Sequence, residues 1–287
     1  MRKIAAWAFA GCISTAALAN VHDVSVAAPE LTVDQIVEKN IAARGGLEAW
    51  RKVQTMVWVG HIESANFSAS KMPFVLEQKR PNRTRFEIKS QNQMSLRIYD
   101  GTNGWRMRPS ASGKPEVQPF TNDELRFAHD GQGIDGPLMD YTAKGVAVTL
   151  DGIEEVEGHK AYRLNVRLPS GASHHIWIDA QNFLDIKYDR QSRNAFGQPG
   201  TMSVFYRDYQ TIEGLQIPLT IETGTDTSKA TDKMVIDKIS LNQPLEDQMF
   251  AKPRVPGRRN GVTVKADAPW ASRPAPSLPT GFSRLNP

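Results

Sequence analysis

The sequence predicts a mainly β protein, built as an antiparallel meander with a few helices, and three observations carry that expectation. Extended runs rich in β-branched and aromatic residues recur from Val53 to Leu241, separated by turn chemistry such as Arg80-Pro81-Asn82-Arg83, Asp100-Gly101-Thr102-Asn103-Gly104, Glu157-Gly158 and Glu213-Gly214. Within the runs, apolar and polar residues alternate: Phe86 and Ile88 with Arg85 and Glu87, Leu96 and Ile98 with Arg97 and Tyr99, and Tyr162, Leu164 and Val166 with Arg163, Asn165 and Arg167. That period of two gives a sheet one apolar face, and the expectation is that Phe86, Ile88, Leu96 and Ile98 share it. The connections are also too short for crossover helices, so neighbouring strands run antiparallel.

Taken in order, Thr32 and Gln35 form a capping box before Val33, Ile36, Val37 and Ile41, which fall at helical spacing, and Gly45-Gly46 stops the helix near Arg44. Leu47 to Trp50 adds a short second turn. Val53 to Phe67 reads as a strand with Val57 and Val59 on one side and Met56, Trp58 and Ile62 on the other. Gly60 in its middle suggests a bulge that lets the sheet curl. Met72 to Lys79 follows, then the hairpins from Glu77 to Pro109. Pro109 to Pro119 is polar with Ser, Gly and Pro and reads as a long hairpin tip or loop, and Thr121 to His129 reads as a capped helix with Glu124 at its third position. Asp130 to Gly136 is a glycine-rich break, and Pro137 to Tyr141 is at most a helical turn. From Gly145 the strands resume, ending at Leu241.

The termini differ from this body. Met1-Arg2-Lys3, an apolar run from Ile4 to Leu18 and Ala17-Leu18-Ala19 have the three parts of a secretory signal, with cleavage expected after Ala19 and an exported, periplasmic protein as the consequence. The single cysteine, Cys12, lies inside that segment; acylation at Cys12 is the alternative, and otherwise the mature chain has no thiol. The net charge is +4; Arg2 and Lys3 supply two of these charges, and the stretch from Lys252 carries seven cations against Asp267, so Asn20 to Ala251 carries about −4. The basic character belongs to a Pro-, Gly- and Arg-rich tail, 254–287, expected to lack persistent structure. The tail either makes transient contact with an anionic membrane surface or is a solvated extension. Nucleic acid is not an expected partner of an exported chain.

The run KRPNRTRFE followed by IYDGTNGWRM resembles the LolA-like and LolB-like periplasmic lipoprotein-sorting proteins. The opening IVEKNIAARGGLEAWRKVQTMVWVGHIE, the later EGHKAYRLNV and HHIWIDAQNFLDIKYD, and the closing NQPLEDQMFAKP fit the same pattern. The resemblance covers about Thr32 to Pro253. It implies a half-open antiparallel β-barrel with an N-terminal helix and a helical lid over the concave face, and a ligand consisting of a lipid, an acylated protein or another hydrophobic molecule. It further implies that the apolar residues of the concavity bind that ligand; the residues nominated are Trp58, Phe74, Leu76, Phe86, Ile88, Leu96, Ile98, Trp105 and Met107, which taken singly read first as core beneath the helices and as a group read better as the ligand's lining. Phe120, Leu125, Phe127, Ile134, Leu138 and Met139 are the lid's covering residues under the same reading. Arg80 is implied to latch the lid, since a guanidinium fork reaches several carbonyls while staying charged; the alternative is a solvated residue beside a turn.

No catalytic or metal motif is expected. His174-His175 point to opposite faces of a strand and cannot share one ion, and neither an HExxH pattern nor a GxSxG elbow is present. The expectation is therefore a non-enzyme without cofactor. Its partners would be the ligand and an inner- or outer-membrane protein. The other reading that the resemblance permits is a periplasmic sensor domain that binds a protein partner in response to lipid signals.

Overall fold

A computed structural model describes residues 31–64, 71–90, 93–109, 114–131, 133–193, 199–225 and 228–254. The predicted signal segment with Cys12, the leader up to Glu30 and the tail from residue 255 lie outside the described residues.

Helix α1, Val33–Ala43, begins on the predicted capping box: Thr32 Oγ1 accepts from the Gln35 N–H at 3.3 Å, and Gln35 Oε1 accepts from the Thr32 N–H at 2.9 Å. It stops at Gly45, where φ is +110° and a Cβ would lie 2.4 Å from the Gly214 carbonyl oxygen, so both conformation and space require glycine. A short α2, Leu47–Arg51, follows. Then come β1 Thr55–Ser64, β2 Met72–Lys79, β3 Arg83–Ser90, β4 Gln93–Tyr99, β5 Gly104–Pro109, β6 Pro115–Pro119, α3 Asn122–Asp130, β7 Ala147–Val156, β8 His159–Arg167, β9 Ser173–Asp179, β10 Asp185–Arg193, β11 Pro199–Ile212, β12 Leu215–Thr225 and β13 Ser228–Leu241.

The thirteen strands form one antiparallel sheet in the order β6-β5-β4-β3-β2-β1-β13-β12-β11-β10-β9-β8-β7. Two meanders are thus joined where β1 pairs with β13, and the barrel stays open between the edges β6 and β7. The β1–β13 register shifts between Val59 and Gly60, where the sequence predicted a bulge. A Cβ at Gly60 would lie 2.0 Å from the Val235 carbonyl oxygen, so the two strands approach closely only because that side chain is missing. The stretch expected to be a long hairpin tip or loop is a hairpin whose second strand is longer than expected: residues 115–119 form β6, because Pro115 and Pro119 sit at the ends of a free edge, where a missing N–H breaks no ladder.

Register decides which face each residue takes. Trp58 faces Leu76, and Leu76 faces Phe86, so Met56, Trp58, Ile62, Phe74, Leu76, Phe86 and Ile88 share the inner face, which α2 and α3 cover. Between β3 and β4, however, Phe86 faces Arg97 and Glu87 faces Leu96. Leu96 and Ile98, together with Trp105 and Met107 opposite them on β5, therefore lie on the outer face. The expectation that they share a face with Phe86 and Ile88 was wrong by one residue of register: the turn pairs Ser90 with Gln93, and an odd sum puts opposite parities together.

The outer face is not left to water. After β13 the chain crosses it, and Leu245 and Phe250 close over Leu96, Ile98 and Met107. Lys79 Nζ donates to the Leu245 carbonyl and to Asp247, both at 2.6 Å, and Arg83 reaches the same Asp247 oxygen at 2.6 Å. On the inner face Trp50, Val53, Met56, Ile134, Met139, Leu215, Ile217 and Leu241 pack together, which docks α2 and the segment 133–145 onto β1, β12 and β13. Each such large side chain, fully buried, contributes roughly 1.5–3 kcal/mol of transfer free energy.

Candidate functional site

Between the inner face and the covering segments the packing leaves a cavity of about 450 Å³. This is inside the ~300–1,000 Å³ range of small-molecule sites. Its walls are Trp58 and Leu76 from the first meander, Ile176, Tyr188, Tyr206, Ile221 and Met234 from the second, and Phe127, Ile134 and Leu138 from above. Apolar and aromatic carbon dominates, as the alternation requires: each strand turns every second residue inward.

Polar groups gather at two places along β10. At one end Arg44 Nε lies 3.7 Å from Asp185 Oδ2, and Asn40 Nδ2 donates to Asp185 Oδ1 at 3.2 Å and to the Phe183 carbonyl at 2.8 Å. Burial raises the Asp185 carboxyl above its ordinary range, while Arg44 and Asn40 oppose that rise. Tyr206 and Tyr209 are pushed well above the usual phenol value, again chiefly by burial, so both stay neutral donors. At the other end sit His174, Arg190 and Asp130. Burial lowers the His174 pKa, which keeps its imidazole neutral at neutral pH. As expected from strand geometry, His175 points the opposite way, onto Asp189 of the outer face at 2.9 Å.

The covering segments are tied down by charge. Arg80 Nε donates to the Val53 carbonyl at 2.6 Å and Nη2 to the Trp50 carbonyl at 2.8 Å, while Nη1 reaches Asp135 Oδ2 at 2.7 Å and Nη2 also holds Asp135 Oδ1. One guanidinium thereby joins the end of β2, the exit of α2 and the segment after α3. Lys144 closes the same segment on itself, donating to the Gly136 carbonyl at 2.8 Å. Tyr141 donates to Asp34 of α1, and Arg51 of α2 pairs with Asp140 at 2.8 Å. The α3 start is held by Glu124, which accepts from Arg97 at 2.9 Å and from Arg106 at 3.0 Å. Burial alone would raise that carboxyl; the Thr121 N–H and the two guanidiniums outweigh it and hold the pKa at about 2.

Of the nine nominated binding residues, Trp58 and Leu76 line the cavity. Phe74, Phe86 and Ile88 are on the correct face but pack with Ile62, Met72 and Ile236 beside it, Phe74 and Phe86 in edge-to-face contact at 5.8 Å. Leu96, Ile98, Trp105 and Met107 belong to the opposite face, under Leu245 and Phe250. Sequence reasoning missed the far wall, from Ile176 to Met234, although the alternation there was as legible as in the first meander. Among the proposed covering residues, Phe127, Ile134 and Leu138 reach the cavity, Met139 is fully buried beside it, and Phe120 lies against Gly104 beneath Arg97. Among the described residues no group of three His, Cys, Asp or Glu side chains could hold a metal ion.

Solved structures with this arrangement have a LolA-like fold. A LolA superfamily protein from Nitrosomonas europaea superposes with a TM-score of 0.50 at 16% identity, covering 78% of this chain and 99% of the other. An outer membrane lipoprotein-sorting protein domain from Vibrio parahaemolyticus gives a TM-score of 0.50 at 13% identity, over 76% of this chain and 95% of that one. A DUF1329 family protein from Desulfovibrio piger gives 0.50 at 13% identity, over 77% and 97%. No protein-family profile and no curated protein matches the sequence. The likeness is one of fold: the chain has the LolA-like open barrel expected from KRPNRTRFE and IYDGTNGWRM.

Proposed function

We propose, with the LolA-like barrel as premise, that this protein is an exported, periplasmic carrier that holds a lipid, an acylated protein or another hydrophobic molecule, and is not an enzyme. The observation that carries the reading is the apolar cavity of about 450 Å³ between the sheet and its cover. Nothing polar is needed for affinity in such a space. Each methylene moved from water contributes roughly 0.8 kcal/mol, so about fifteen would supply ~12 kcal/mol, and an association cost of about 4 kcal/mol leaves the ~8 kcal/mol of a micromolar complex.

In this reading Arg80 is the latch. It binds both the α2 exit and Asp135, so the cover opens when these contacts break, and acyl carbon then replaces the contacts of Ile134 and Leu138. Trp58 and Leu76 are the nominated residues that touch ligand. The working domain spans 32–253, preceded by a cleaved signal and a leader and followed by the basic tail, which meets membrane surfaces transiently.

Native mass spectrometry with lipid extraction, on protein purified gently from an envelope fraction, tests this. A stoichiometric hydrophobic adduct supports the carrier. Protein that emerges empty and also rejects fluorescent fatty-acid probes removes it.

A further inference from the structure

We propose that the ligand is a single-chain amphiphile with an anionic head, and that Arg190 receives the head; this deepens the carrier reading and rests on it. Capacity comes first. A methylene fills about as much room as a water molecule in the liquid, roughly 30 Å³, so a cavity of about 450 Å³ holds about fifteen of them. That accommodates one ordinary acyl chain.

Two guanidiniums line this space, and their surroundings differ. Arg44 has the Asp185 carboxylate at 3.7 Å and the Trp50 ring centroid at 4.7 Å. Its charge is answered from within the protein. Arg190, on the inner side of β10, has no such answer: Nη2 donates to the Met202 thioether at 3.0 Å, a weak acceptor, and the guanidinium lies 4.4 Å from the centroid of Phe127 on the covering helix. Its Nε is buried and without an acceptor. Among the described residues no carboxylate forms an ion pair with it. Asp130, which also lines this end, accepts instead from Ser170 Oγ at 2.7 Å. His174, neutral through burial, adds a hydrogen-bonding ring and no charge.

A guanidinium whose Nε is buried without an acceptor is costly to maintain, and a planar two-oxygen anion satisfies it with parallel hydrogen bonds. Position agrees with this. Arg190 and Asp185 are five residues apart on β10, roughly 16 Å, so a head at Arg190 leaves its chain to run past Tyr188, Ile176 and Trp58 toward the neutralised Arg44–Asp185 end. A carboxylate and a phosphate monoester offer the same oxygens, so the chemistry is shared by a free fatty acid and a single-chain phosphate lipid.

Calorimetric titration of the delipidated full chain with palmitate, hexadecyl phosphate and hexadecanol, all of one chain length, separates the cases. The wild type is expected to bind at least one anion about tenfold or more tighter than the alcohol, and Arg190→Gln to erase that preference. Whichever anion binds more tightly identifies the source. Should the Gln variant fail to fold, Arg190→Met fills the same space and is read the same way. Equal affinities for alcohol and anions in the wild type, or a preference that survives in the variant, overturn the anionic subsite and leave the carrier standing. If none of the three binds the wild type, the carrier reading falls as well.

Discussion

At the scale of single residues, the structure separates side chains that hold the fold from those that hold a ligand. Arg80 serves the fold first. Replacing it by Leu removes two carbonyl contacts and leaves Asp135, only 9% exposed, facing Lys144 at 3.8 Å as its remaining cation. Loss of one partner of a buried pair costs about 3 kcal/mol, and denaturant unfolding of Arg80→Leu should show it. If the latch reading holds, the variant also releases bound lipid faster than wild type; an unchanged off-rate would refute the latch. The Arg80→Leu, Asp135→Leu double variant should regain part of the stability, because no carboxylate is left unpaired. Gly60→Val carries a different cost. Its Cβ would meet the Val235 carbonyl oxygen at 2.0 Å, and thermal melting should show at least roughly 2 kcal/mol of destabilisation through forced separation of β1 from β13. Gly60 was legible in the sequence because a glycine that interrupts a β-branched run weakens the strand unless it serves a bulge or a close backbone approach. Arg190 and Asp185 were not. A charge in an alternating strand reads as solvent-facing, and only the register of the neighbouring strands places these two inward.

At the scale of elements, each strand was readable alone and the pairing between strands was not. Alternation in β3 and in β4 is unambiguous, yet whether Leu96 joins Phe86 or opposes it depends on whether the turn between them makes the paired numbers sum to odd or even. Four of nine nominated residues were placed on the wrong face for that reason. The same geometry yields a test. Phe250, 1% exposed on the outer side, should cost about 3–5 kcal/mol when replaced by Ala, with ligand affinity unchanged once the variant is folded. Trp58→Ala, by contrast, should weaken ligand binding, and fluorescence displacement distinguishes the two. Helix α3 supplies a pH test. Glu124 has a folded pKa of about 2 against an ordinary value of 4.5, so the unfolded or undocked state binds more protons. Its contribution is fully present above pH 4.5 and disappears as pH falls toward 2. Hydrogen exchange should therefore show the α3 amides losing protection across that window, and Glu124→Gln should loosen the helix already at neutral pH.

At the scale of the whole molecule, composition and turn spacing made the meander legible, and the capped helices were found because capping boxes are local. The joining of two meanders through β1 and β13 was not, since those strands are separated by most of the chain and no local pattern encodes their contact. The far wall of the cavity was lost with it. Its consequence is that the ligand should touch both meanders but one face only. Photocrosslinking with a diazirine-bearing fatty acid, followed by mapping of the labelled peptides, tests this most directly. Labels are expected on inner-face positions from both halves, Trp58 and Leu76 together with Ile176, Tyr188 and Met234, with competition by unlabelled palmitate. Labels concentrated on Leu96, Met107 and Phe250, or spread over both faces without competition, would contradict it.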